Sequence, residues 1–340
     1  MYSSNSTSWK AAPLIVVFRS AKVRPAPRDG IRRTWVACLA LSRSEGRQSR
    51  FLHNLSDNDG AAGTVVTRSV TSTLFLMLLN GKKILITGSS SGIGLGAGAA
   101  CVRHGAQVVF ASERALADCP EVSELLKQPG THYIRADLSK PGEPQRLVGE
   151  AWDRLGRLDV LVNNVGAFRE PAFLELNREQ FDFIFGLNVW AALAASQEFA
   201  RRGIAAGTGG RILFTTSLNG ARSEPAHTLY DASKGAVNAL TRQLAIELAP
   251  QGFTTAAIAP GLVETPLTDM GLRSEPATRQ AILEQIPVRR ISTVDDLAMW
   301  YVFLASDFAS YATGTIINVD GGLDAQQMAL RPIAASERNS

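Results

Sequence analysis

The segment Lys83-Ile-Leu-Ile-Thr87-Gly88-Ser-Ser-Ser-Gly92-Ile-Gly94 constrains this chain more than any other. Its first five residues read as a short buried strand, and the small-residue stretch from the glycines to His104 reads as a helix. Gly88 permits a tight turn between the two. Gly92 and Gly94 clear side chains from the helix amino end, where unpaired backbone N–H groups attract anions. Strand, glycine-rich turn and helix in that order suit the pyrophosphate of a dinucleotide, with Gly88, Ser90, Gly92, Ile93 and Gly94 as candidate contacts. The spacing is neither G-x-G-x-x-G nor a P-loop, which would need Gly-Lys-Ser/Thr.

Six further apolar runs follow, at 107–111, 131–136, 158–162, 211–216, 254–258 and 315–319. Helical patterns over 143–155, 178–202 and 229–248 lie between them. Continuous apolar strands alternating with helices predict an α/β fold with a parallel sheet covered on both faces. Right-handed crossovers make it a single Rossmann-type doubly wound domain of seven strands, with its ligand at their carboxyl ends. The expected organisation is an irregular extension over 1–76, one nucleotide-binding domain over 77–330 and a tail over 331–340. With 45% hydrophobic residues the core is ample. No run reaches the roughly 20 apolar residues that span a bilayer, so no membrane partner is expected.

A net charge of +4 invites a nucleic-acid reading, and its location removes it. Of 35 Lys/Arg and 31 Asp/Glu, 11 and 4 lie in residues 1–76, leaving 24 and 27 in the body. The body is slightly acidic, so no nucleic-acid partner is expected. The extension lacks sustained periodicity and has three readings. It is a mitochondrial-type presequence rich in Arg and Ser, a flexible tail for an acidic partner, or sequence upstream of a true start at Met77. The last is favoured here, and with it a cytoplasmic location; a genuine presequence would make the protein mitochondrial. Cys38, Cys101 and Cys119 form no C-x-x-C, and His53, His104, His132 and His227 form no local pair. No metal site is expected.

Tyr230-Asp-Ala-Ser-Lys234 is the second chemical signal. On a helix, residues i and i+4 share a face, so the phenol and the ammonium are neighbours. A nearby cation favours the phenolate of a group whose pKa is ordinarily about 10. Such pairs are common by chance; Ser217, at the end of the strand before this helix, makes this one specific.

Together these features resemble the classical short-chain dehydrogenase/reductase family over about residues 80–324. The matching motifs are Thr87 to Gly94, Asp137-Leu138, Asn163-Asn-Val-Gly166, Asn188, Ser217, Tyr230 with Lys234, and Pro260-Gly261 followed by Thr265. Family members begin a few residues before their first strand, which is the reason for favouring Met77. The resemblance implies an NAD(P)-dependent oxidoreductase acting on a secondary alcohol or ketone. Tyr230 would exchange a proton with the substrate oxygen, Lys234 would lower the Tyr230 pKa and hold the nicotinamide ribose, Ser217 would hydrogen-bond the substrate oxygen, and Asn188 would anchor a relay water. Asp137 and Leu138 would meet the adenine, and Asn164 and Gly166 the adenosine side. Pro260, Gly261, Val263 and Thr265 would frame the nicotinamide. The helices carrying Asn188 and Tyr230 resemble the family's subunit-pairing helices, implying a homotetramer or homodimer.

Three departures stand out: Val165 where the family has alanine, Ala256 where it commonly has asparagine, and glycines at 96 and 98 inside the first helix. Glu113 would select NAD by binding the ribose 2′-OH, but family spacing places Ser112 there and turns Glu113 away. With Arg114 nearby, this leans the expectation to NADP over NAD. Arg222 and His227, in the polar loop between Ser217 and Tyr230, are candidate substrate contacts. The expected substrate class resembles that of 3-oxoacyl-carrier-protein reductases, with sugar or polyol dehydrogenases as the alternative and a non-catalytic dinucleotide-binding scaffold as the third reading.

Overall fold

The computed structural model describes residues 77–168, 170–268 and 276–326. The readings made for the 1–76 extension and the 331–340 tail lie outside the described residues.

At the centre is β1 (Lys83–Thr87), whose Ile84, Leu85 and Ile86 are fully buried. Each such side chain contributes about 1.5–3 kcal/mol by leaving water. β1 pairs in parallel with β2 (Gln107–Ser112) on one side and β4 (Val160–Asn163) on the other. β3 (Thr131–Arg135), β5 (Gly210–Thr215), β6 (Phe253–Pro260) and β7 (Thr315–Val319) complete a seven-stranded sheet of order β3-β2-β1-β4-β5-β6-β7, parallel throughout. The strand order reverses between β1 and β4, which opens a crevice at their carboxyl ends.

Alternation along the strands divides the core. Ile84, Ile86, Val108 and Phe110 pack under α1 (Gly92–Arg103), while Leu85, Val109 and Leu161 pack on the other face with helices described below. After the short α2 (Pro120–Leu125), that second face is covered by α3 (Glu143–Leu155), α5 (Ala191–Ala206) and α6 (Thr228–Leu248). α7 (Pro276–Gln285) and α8 (Val294–Ala305) follow, and α8 lies beside α1. The two helix-interior glycines of α1 serve this packing. A Cβ at Gly98 would come within 2.2 Å of the Phe110 ring, and one at Gly96 within 3.0 Å of Val294. Their propensity cost of about 1 kcal/mol each accompanies close helix–sheet and helix–helix approach.

The helix expected over 178–202 is interrupted. α4 (Arg178–Phe185), started by an Asn177/Gln180 capping box, runs into one π-helical turn at Gly186–Trp190 before α5. Asn188 sits in that wider turn, a break that frequently marks functional positions. α8 carried no helical signal because it lacks a polar stripe: Met299, Trp300 and Phe303 are exposed where Leu297, Tyr301 and Val302 are buried. Among the described residues no helix is long and apolar enough to cross a membrane, and no group of three His, Cys, Asp or Glu could hold a metal.

Candidate active site

The carboxyl ends of β1, β4, β5 and β6 open on a cavity of about 410 Å³. One wall is the glycine-rich turn. Gly88 adopts φ +61°, and a Cβ at Gly94 would lie 2.4 Å from the Gly88 carbonyl and 2.5 Å from Asn164 Nδ2, so no other residue fits either place. Ser91, the N-cap of α1, sends no side-chain hydrogen bond onto the first turn. Backbone N–H groups at a helix amino end therefore face the cavity without a competing side chain. This cradle fits the pyrophosphate of a dinucleotide.

The opposite wall carries the chemistry. Ser217 follows β5, and Tyr230 and Lys234 project from the first turns of α6; all three line the cavity. Lys234 is buried, donates from Nζ to the Thr215 carbonyl at 3.0 Å, and is pushed down to about 8 by loss of water. Burial pushes the Tyr230 phenol up to about 12; a hydrogen bond with Ser217 works against this, and the Asp231 and Glu224 carboxylates add to it. This departs from the expectation that Lys234 would lower the Tyr230 pKa. The ammonium lies 5.6 Å from the phenol ring centroid, but its hydrogen bond runs to the β5 backbone. The Ser217 hydroxyl is held by Asn219, accepting its amide N–H at 3.1 Å and donating to its Oδ1 at 3.2 Å. Asn188 does not line the cavity. Its side chain clamps Ala167, accepting from N at 2.8 Å and donating to O at 3.0 Å, and also donates to Ser233 Oγ at 3.0 Å.

Of the expected cofactor contacts, all but Gly94, Ser112, Asp137 and Leu138 lie in the cavity wall. Gly94 is packed behind Gly88. The Asp137 carboxylate is occupied by Ser139, whose hydroxyl donates at 2.6 Å and holds it below the usual carboxylate range, and Leu138 is buried. The facing expected of Ser112 and Glu113 is exchanged. Ser112 is buried, with its hydroxyl 3.1 Å from the Tyr133 hydroxyl and accepting the Arg114 amide at 3.1 Å, whereas Glu113 lines the cavity. The β2 turn is pinned from β3, where Arg135 Nε donates to the Glu113 carbonyl at 2.8 Å.

The two expected substrate contacts are not in the wall either. Arg222 is exposed and pairs with Asp324, 2.6 Å from Nε to Oδ1. His227 stacks on Phe168 with ring centroids 4.3 Å apart, and Phe168 meets Tyr230 edge-on at 5.5 Å. Loop polarity indicated free recognition groups; the long-range partners that occupy them had no local signal. Sequence reasoning missed Phe168, Glu170, Thr215 and Tyr301, each placed by contacts to residues more than 40 positions away.

Comparisons with known proteins identify the family. A family described as enoyl-(acyl carrier protein) reductase matches residues 88–324. The chain is 35% identical over 257 residues to sorbitol dehydrogenase of Cereibacter sphaeroides, spanning 72% of this chain and 98% of that one. It is 35% identical over 252 residues to L-rhamnose 1-dehydrogenase (NAD(P)(+)) of Azotobacter vinelandii, spanning 73% and 98%. Among solved structures, an Agrobacterium tumefaciens protein provisionally assigned as a 2-deoxy-d-gluconate 3-dehydrogenase, with bound NADP, superposes at a TM-score of 0.68 with 33% identity, over 74% of this chain and 100% of that one. A short-chain type dehydrogenase/reductase of Mycobacterium marinum gives a TM-score of 0.68 and 32% identity over 74% and 98%. On this match over residues 88–324 and these likenesses, the chain belongs to the short-chain dehydrogenase/reductase family of NAD(P)-dependent oxidoreductases.

Proposed function

We propose that the protein interconverts a secondary alcohol and a ketone on a polyol, sugar or sugar-acid substrate, with Tyr230, Ser217 and Lys234 as its catalytic residues and Asn188 as their support. The observation that carries this reading is that Ser217, Tyr230 and Lys234 share one cavity with the glycine cradle. The bound nicotinamide supplies or accepts the hydride. The chain's own residues handle the proton and the developing charge. A phenol near 12 keeps its proton at neutral pH and yields it to a strongly basic alkoxide oxygen, so Tyr230 is suited to protonate a carbonyl as it is reduced. Ser217, still accepting the Asn219 amide, turns its one hydroxyl proton from Asn219 Oδ1 to that same oxygen. Lys234 presents its remaining N–H donors to the nicotinamide ribose. Asn188 holds the Gly166–Ala167 backbone against Lys234 and supports a relay water from its π-helical turn.

The choice of substrate class rests on relatives named for sorbitol, rhamnose and glucose. A second reading, reduction of a 3-oxoacyl thioester, is favoured by the description of the matched family. The test is a spectrophotometric panel of polyols, aldoses, sugar acids and 3-oxoacyl thioesters with NAD(H) and NADP(H). Turnover confined to thioesters would replace the first reading with the second.

The active form is a homotetramer or homodimer in this reading. Trp190 beside α5, and Trp300, Phe303 and Tyr311 on and after α8, expose apolar surface that a second copy would cover. Light scattering at micromolar concentration tests it, and a monomer would overturn it.

A further inference from the structure

A file of polar groups runs from α8 along the cavity wall, past the carboxyl ends of β5, β4 and β1. Asn164 Nδ2 donates to the Gly88 carbonyl at 2.9 Å and to the Thr87 carbonyl at 3.1 Å. Thr215 Oγ1 lies 3.0 Å from Asn164 Oδ1, and Tyr301 OH lies 2.6 Å from Thr215 Oγ1. The direction of this file follows from proton counting. The amide protons of Asn164 go to backbone carbonyls, and its Oδ1, which carries no proton, can only accept. Thr215 has one proton and must give it to that oxygen, which leaves Tyr301 as the donor to Thr215. Tyr301 is fully buried in α8, and burial raises its pKa, so the phenol remains a donor across the working pH range. Thr215 is also the residue whose carbonyl receives Lys234 Nζ.

We propose that Tyr301 is a positioning residue of the dinucleotide site, whose O–H orients Thr215 and Asn164 and thereby fixes the Gly88 carbonyl and the glycine-rich turn. The inference rests on the NAD(P) site being at that turn. Among the described residues, the Tyr301–Thr215 hydrogen bond is the one that joins α8 to this file. Without the phenol proton, the Thr215 hydroxyl loses the donor that sets its direction and turns, Asn164 Oδ1 loses its own donor, and the amide no longer holds Gly88. The turn amides that face the pyrophosphate then lose their alignment. The effect falls on cofactor binding rather than on the proton-transfer wall.

The experiment uses the full chain and titrates NADH and NADPH by fluorescence against wild type, Tyr301→Phe, Thr215→Val, Thr215→Ser and the Tyr301→Phe/Thr215→Val double variant. Tyr301→Phe and Thr215→Val are each expected to weaken the better-bound nucleotide about 5- to 20-fold, with KM for that nucleotide rising more than kcat falls. Thr215→Ser, which keeps the hydroxyl, stays within about twofold, and the double variant is no weaker than the worse single one, because both break the same file. A Tyr301→Phe protein with a lower melting temperature but wild-type Kd would overturn the proposal, as would additive losses in the double variant. If Tyr301→Phe does not fold, the Thr215 pair decides, and equal Kd for valine and serine overturns it. Failure of wild type to bind either nucleotide would instead remove the site reading beneath it.

Discussion

Glu170 places both carboxylate oxygens on the first turn of the helix that carries Tyr230, accepting the Tyr230 amide at 3.0 Å and the Leu229 amide at 2.8 Å. His227, the N-cap of α6, offers no side-chain hydrogen bond to these groups. The cap comes instead from the loop after β4, where the negative charge also meets the positive end of the helix. Glu170 thus ties the Gly166–Phe168 strip to the start of α6 and fixes where the phenol stands. Glu170→Ala should lower stability by about 1 kcal/mol and kcat/KM by roughly 5- to 10-fold, the scale of one lost cap and a displaced reacting group. Glu170→Gln, which keeps one oxygen, should recover part of both. Thermal melts and steady-state kinetics on the same preparations check this, and an unchanged kcat/KM for the alanine variant would refute it.

Tyr230→Phe should reduce turnover by about 10²-fold or more, the usual scale for a positioned acid–base group. Its dinucleotide Kd should stay close to that of wild type, since the proposed partner of the hydroxyl is the substrate oxygen and not the nucleotide. Lys234→Ala should damage both, because in the proposed reading the amine serves the ribose while it stands 5.6 Å from the phenol ring centroid. Near-normal rates for Tyr230→Phe on a genuine substrate would show that the proton comes from elsewhere.

Much of this site was legible because its signals are local. Gly88 with positive φ and Gly94 against a carbonyl follow from a turn that joins a strand to a helix within seven residues. Tyr230 and Lys234 face the same way because one helical turn separates them. What stayed hidden depends on distant partners. Gly96 and Gly98 look like defects until Val294 and Phe110 arrive beside them. Arg222 reads as a recognition group until Asp324, 102 positions away, takes it up. The π-helical turn at Asn188 adds one residue to a helix whose apolar pattern continues through it, so periodicity does not reveal it.

Lys234 also predicts how stability varies with pH. Its folded pKa of about 8 lies below its ordinary 10.5, and the cause is burial of the ammonium. Below pH 8 the lysine is charged in both states and the folded protein bears the full cost. Between pH 8 and 10.5 the folded state releases a proton that the unfolded chain retains, so stability rises with pH; above 10.5 the cost is gone. Lys234→Met removes the titration. Relative to that variant, wild type should gain up to about 3 kcal/mol between pH 8 and 10.5. Denaturant titrations of both proteins at pH 7, 9 and 10.5 measure it. A stability difference that does not move with pH would contradict the burial of a charged amine here.

Nucleotide choice should turn on Glu113. It lines the cavity at the end of β2, where a carboxylate would accept from a ribose 2′-OH and repel a 2′-phosphate. Ser112, expected at that place, is buried against Tyr133 and does not reach the cavity. The Arg114 guanidinium is drawn back to the Asp118 carbonyl on its own turn. Whatever ratio of NADP to NAD the wild-type protein shows, Glu113→Gln should raise it by about 10-fold or more, because one like-charge contact is removed while a neutral acceptor remains. Ser112→Ala should leave the ratio within about twofold, since its hydroxyl serves Tyr133 and the Arg114 amide. The two kcat/KM values, taken with one substrate at fixed ionic strength, give the ratio. A large shift from Ser112→Ala with none from Glu113→Gln would return the discriminating role to Ser112 and require the β2 turn to rearrange when the nucleotide binds.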